Sequence, residues 1–154
     1  MSVVITANRD VVSRRDCRRV RIAEESERTR ARIQNGLVDA YGAVADAARL
    51  GRRNPPLLRE LVFRLGDAGA RINARLRFAQ EHVSVEDAEI VTEQSSRAAD
   101  ELVHLAQRLS RALAGASDGD GEPDAELEPA RLQTGVLVVE ARAATLFAPP
   151  KRAN

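Results

Sequence analysis

The stretch Ser84-Val-Glu-Asp-Ala-Glu-Ile-Val-Thr-Glu-Gln-Ser-Ser-Arg-Ala-Ala-Asp-Glu-Leu-Val-His-Leu-Ala-Gln-Arg-Leu-Ser-Arg-Ala-Leu-Ala-Gly115 decides the architecture. Its small and apolar positions, Ala88, Val91, Ser95, Ala98, Leu102, Leu105, Leu109 and Leu113, recur every three or four residues. That period puts them on one helix face, whereas a strand would alternate. Ser84 with Asp87 three positions later predicts an N-cap, the hydroxyl accepting a first-turn amide that has no partner inside the helix. So long an amphipathic helix must cover its stripe with other helices.

Upstream, Asn54-Pro55-Pro56 breaks the chain and opens a second helix, with proline in its tolerated first-turn place. Leu58, Leu61/Val62, Leu65, Ala68/Gly69, Ile72, Leu76 and Ala79 form its expected buried stripe. The small group Gly66, Gly69 and Ala70 reads as a close helix crossing rather than a ligand loop. A first helix is expected to start at a Ser13–Asp16 cap and to bury Ile33, Leu37, Tyr41, Val44 and Ala48. Gly51 is its expected left-handed stop, with Arg52 and Arg53 at the negative end of the helix dipole. Over residues 14–50 this helix would run ~54 Å, longer than its neighbours. Glu24/Arg28, Glu60/Arg64, Asp67/Arg71 and Glu93/Arg97 stand at i,i+4 with the acid first, each favouring helix by ~0.2–0.5 kcal/mol.

Downstream, residues 115–128 carry six acids, no base and almost no apolar side chain, so they read as a flexible acidic linker. Residues 129–148 fit two templates. Leu132, Val136, Val139, Ala143 and Leu146 keep helical spacing, while Val136-Leu-Val-Val139 could pair as a short strand with Ser2–Thr6. Pro129 and the alanines favour the helix. The expected organisation is an N-terminal arm (1–12), a helical bundle (13–114), the linker (115–128) and a C-terminal docking element (129–154). The expected fold is all-α, an antiparallel three- or four-helix bundle.

Composition narrows the chemistry. The 154 residues hold 24 basic and 23 acidic side chains and a single cysteine, Cys17, so no internal disulfide can form and a cytoplasmic setting is the default. Met1–Asp10 lacks the basic-then-apolar pattern of a secretory leader, and no apolar run approaches the ~20 residues of a membrane span. Arginine occurs 23 times against the lone Lys151, and alanine 26 times, the texture of a high-GC genome; a bacterial or phage component, cytoplasmic or in a virion, fits it. The only aromatics are Tyr41, Phe63, Phe78 and Phe147, too few for a base-stacking platform or an aromatic-walled cofactor pocket. Phosphate loops, Gly-x-Ser-x-Gly, Cys-x-x-Cys and His-Glu-x-x-His are missing, and two histidines leave little material for a catalytic triad. No enzyme, no cofactor and no small-molecule substrate are expected.

Four groupings remain. Arg14, Arg18, Arg21, Arg28 and Arg32 share one face of the first helix, flanked by Arg15 and Arg19. Such a face suits phosphates or an acidic protein surface, and equally suits a solvated, salt-bridged exterior. Leu132, Val136, Val139, Leu146 and Phe147 form the candidate docking stripe behind the linker, or a helix that packs on its own bundle. Glu101-Leu-Val-His104 has the spacing of a di-iron half-site but lies at the edge of its stripe without matching carboxylates. Cys17 sits among arginines that would favour a thiolate, with no resolving cysteine. The expectation is a non-catalytic assembly or adaptor subunit with a protein partner, first of all itself. The alternative is a nucleic-acid-associated protein gripping phosphates through the arginine face.

Overall fold

A computed structural model of the chain describes residues 2–51, 55–115 and 129–146. They form four helices: α1 (Ser2–Arg49), α2 (Pro55–His82), α3 (Val85–Gly115) and α4 (Pro129–Leu146). No strand occurs among the described residues. The C-terminal ambiguity resolves as helix because Val136, Val139 and Ala143 are all buried, and three- and four-residue steps bring them to one side. Packing thus overrides the β-propensity of the valine run. Ser2–Thr6, the pairing partner under the strand alternative, is the first turn and more of α1.

Local signals act where they stand. The Asp87 amide donates to Ser84 Oγ at 3.2 Å and the Ala88 amide to the Ser84 carbonyl at 2.9 Å, which caps α3. Gly51 has φ of +65° and its amide bonds the Ala48 carbonyl, ending α1. The start of α1 differs from expectation. Helix begins at Ser2 and runs through the stretch read as an arm, so Ser13 lies inside it and not at its start. Residues 52–54, the acidic segment from 116 to 128, and Phe147 to Asn154 lie outside the described residues.

Contacts fix the directions. Arg18 meets Glu89, Arg32 meets Asp100 and Gly36 lies against Val103, so α1 and α3 run parallel. Gly69 approaches Ile33 and Leu37 while Gly66 approaches Tyr41, so α2 runs opposite to α1. Gly135 against Leu105 and Arg142 against Glu101 make α4 antiparallel to α3. The result is an up-down-up-down bundle. α2 and α3 each touch every other helix, whereas α1 and α4 do not touch each other among the described residues. In section, α1 and α4 therefore occupy opposite corners, with α2 and α3 between them.

At 1.5 Å per residue α1 spans ~72 Å, α3 ~46 Å and α4 ~27 Å. α4 thus covers only one half of the bundle. At the other end the small cluster of Ile22, Val83, Val85 and Ala88 closes the interior, and α1 continues past it.

The main core contains Ile33, Leu65, Ile72, Leu76, Leu102 and Leu109, each at most 1% exposed. All the expected stripe residues of α2 and α3 are buried. The α1 face is rotated from its expected phase. Ile22, Ser26, Thr29, Ile33, Gly36, Ala40, Val44 and Ala47 are buried, while Leu37 and Ala48 are half-buried and Tyr41 is 46% exposed. Small side chains explain the rotation, since they let α1 lie close against α3; a Cβ on Gly36 would stand 3.4 Å from Val103. Gly69 makes the expected close crossing, where a Cβ would come within 2.8 Å of Ile33 Cγ2.

Candidate docking surfaces and the arginine face

The arginine stripe divides. Arg18 reaches α3, donating from Nε and Nη2 to the Glu89 carboxylate at 3.1 and 2.5 Å, with Glu86 at 3.6 Å. This hydrogen-bonded contact holds the Glu89 carboxyl below its ordinary range and raises the Arg18 guanidinium. Arg32 forms an ion pair with Asp100, also on α3. Two of the five stripe residues are therefore fasteners of the α1–α3 seam. Arg14, Arg21 and Arg28 are exposed, and no carboxylate among the described residues lies within ion-pair distance of them. The flanking Arg15 and Arg19 are also exposed, although they continue the three-four spacing of the buried stripe back from Ile22. They stand where α1 reaches the α2–α3 turn, and their exposure shows that the described bundle covers little of this part of its inner face.

The expected docking stripe is split as well. Val136 and Val139 face the bundle core and are buried, so they are seats for α4 rather than contacts for a partner. The side chains of Leu132 and Leu146, and all of Phe147, lie outside the described residues. The opposite face of α4 is the notable one. Thr134, Leu137, Val138, Ala141 and Ala144 are exposed along one side, and none carries charge. The two charged residues nearby are turned to the bundle, Glu140 to Arg64 at 3.7 Å and Arg142 to Glu101 at 2.8 Å.

A second apolar patch lies across the Arg64–Glu140 bridge, on the outside of α1 and α2. Tyr41, Val44, Ala45, Arg59, Glu60 and Phe63 line a shallow groove of about 460 Å³ there. Phe63 is 71% exposed and Val38, one turn from Tyr41, is 61% exposed. Apolar spacing placed Tyr41 in the core and gave no role to Phe63. The signal was present, because Phe63 falls out of phase with the Leu58–Leu65–Ile72 stripe of its own helix. A large apolar side chain on a polar face marks a contact surface more specifically than one on a core face.

The remaining candidates have structural surroundings. Glu101 is half-buried and held by Arg142, while His104 is exposed on the α1–α3 side, in a polar groove with Arg32, Asn35, Asp39 and Asp100. No group of three His, Cys, Asp or Glu side chains suited to a metal ion occurs among the described residues. Cys17 is exposed. No described helix is long and apolar enough to cross a membrane. Compared with known protein families, with curated proteins and with solved structures, the chain matches none.

Proposed function

We propose that this chain is a non-catalytic helical assembly subunit that joins other protein through its apolar outer faces. The observation that carries the reading is α4, a helix apolar on both sides. Its inner side, Val136, Val139 and Ala143, already seats it on the bundle; its outer side, Leu137, Val138, Ala141 and Ala144, is uncharged and exposed. A helix apolar on two opposite sides is ordinarily covered on both, and among the described residues only the inner side of α4 is covered. The groove at Tyr41 and Phe63 adds a second contact area of the same character. Deleting α4 would expose the core, so the test uses its outer face. Light-scattering mass of the full chain is expected to be a uniform multiple of 16.8 kDa, and Leu137→Asp to lower it with the helical circular dichroism unchanged. A single-chain mass at all concentrations, with Leu137→Asp behaving as wild type, overturns the reading.

A second reading is favoured by one observation, the start of α1, with Arg14 and Arg15 exposed ahead of the bundle and Arg19 and Arg21 exposed at its edge. Under this reading the helix grips phosphates. Retention on duplex DNA would then fall steeply between about 50 and 300 mM salt and vanish in an Arg14→Glu/Arg15→Glu/Arg19→Glu variant. With no tryptophan, the protein absorbs little near 260 nm, so co-purified nucleic acid would show as an excess there.

A further inference from the structure

The assembly reading leaves open what meets the groove beside Phe63, and the outer row of α2 narrows it. Phe63 stands nearly clear of its own bundle, with Arg59 four residues before it and Asp67 four residues after it, all three exposed. Four residues is close to one helical turn, so the three lie along one side of α2, basic at one end and acidic at the other. Ala70 beside the row is small and exposed, while Gly66 lies under the Tyr41 hydroxyl, 3.3 Å from where a Cβ would stand. A helix that crosses this row antiparallel and carries an aromatic at its centre, an acid beside Arg59 and a base beside Asp67 is complementary to it. α2 itself, turned end for end about Phe63, is such a helix.

We propose, resting on the assembly reading, that a second copy of this chain docks on this face through a two-fold axis passing beside Phe63. In that register Arg59 of each copy meets Asp67 of the other twice over, and the two Phe63 rings lie together over the grooves lined by Tyr41, Val44 and Ala45. A two-fold contact of this kind uses the same patch on both chains and closes on itself. Asp67 bridges Arg71 of its own helix through Oδ2 at 3.1 Å, and its Oδ1 is not used in that contact. Apolar burial at the centre supplies affinity; the paired charges at the rim fix the register.

The test is sedimentation equilibrium of the full chain across a dilution series, with circular dichroism as the check on folding. In a Leu137→Asp background, which removes the α4 contact, the chain is expected at twice 16.8 kDa, and Phe63→Ser and Phe63→Glu in that background at the single-chain mass with unchanged helicity. Arg59→Asp and Asp67→Arg alone should each weaken the dimer about tenfold or more, and the double variant R59D/D67R should recover most of that loss. A dimer or larger oligomer indifferent to both Phe63 variants overturns this docking face while leaving the assembly reading intact. Loss on Phe63→Ser without recovery in the double variant overturns the two-fold register. A wild type that stays single at every concentration overturns the self-docking proposal together with the assembly reading, whereas an oligomer indifferent to Phe63 overturns the docking face alone.

Discussion

Arg18 on α1 grips Glu89 on α3 with two donors, at 3.1 and 2.5 Å, and so sets the level at which these parallel helices meet. The hydrogen bond from Arg18 is the main reason that the Glu89 carboxyl lies below its ordinary range, opposed by partial burial. A carboxyl lowered in this way favours the folded state above its unfolded value of about 4.3 and loses that contribution as pH falls through the folded value. Glu89→Gln should therefore melt below wild type at pH 7. The gap should narrow under about pH 4, close in stronger acid, and shrink with added salt because the pair is exposed. A gap equal at pH 7 and in strong acid would show that Glu89 acts through packing instead.

At Gly69, α2 lies against side chains of both α1 and α3. A Cβ there would stand 2.8 Å from Ile33 Cγ2, 3.2 Å from Leu37 Cδ1 and 3.5 Å from Leu102 Cδ1. Gly69→Ala gains helix propensity of about 1 kcal/mol but forces a buried β-branched side chain to move, an overpacking cost of about 1–3 kcal/mol. The net effect should be destabilising in urea unfolding. Gly42 is the control, because a Cβ added there would meet no described atom within 4 Å, and Gly42→Ala should stabilise by about 0.5–1 kcal/mol. If both substitutions stabilise, the close crossing is absent.

The α2 and α3 stripes were legible because Leu and Ile carry their burial, and Ser84, Gly51 and Pro55 punctuate the chain by local chemistry. The phase of α1 was not, because its buried face is made of Ser26, Thr29, Gly36, Ala40 and Ala47, residues that a count of large apolar positions passes over. The larger Leu37 and Tyr41 border that face on the α2 side and draw the expected stripe toward themselves. The arginine face was legible as a face, but not the division of labour within it. Whether an arginine is a fastener depends on which helix lies alongside, and the parallel pairing of α1 with α3 is a tertiary fact. The outer face of α4 stayed hidden because a single valine-rich stretch supplies both of its apolar sides.

The rotated α1 face makes a prediction about two residues. Ile33 is fully buried and Tyr41 is nearly half exposed. Ile33→Ala should cost about 2–5 kcal/mol in chemical denaturation, the range for truncating a packed aliphatic side chain. Tyr41→Ala should cost less than about 1 kcal/mol, as expected of a substitution outside the core. The phase expected from apolar spacing requires the two to cost alike.

Ser26 and Ser95 test the seam itself. Both are fully buried, and neither hydroxyl has a hydrogen-bond partner among the described residues. They sit between the Arg18–Glu89 and Arg32–Asp100 contacts, at matching levels of α1 and α3. A buried hydroxyl without a partner carries a desolvation penalty, and alanine is the better helix former. Ser26→Ala and Ser95→Ala should therefore each leave the fold equally stable or up to about 1.5 kcal/mol more stable, and the double variant should sum the two. If the hydroxyls were bonded across the seam, each single variant would strand its mate and destabilise, and the double variant would recover part of the loss. The sign of the single substitutions, read by urea unfolding, separates a seam packed by small size from one held by hydrogen bonds.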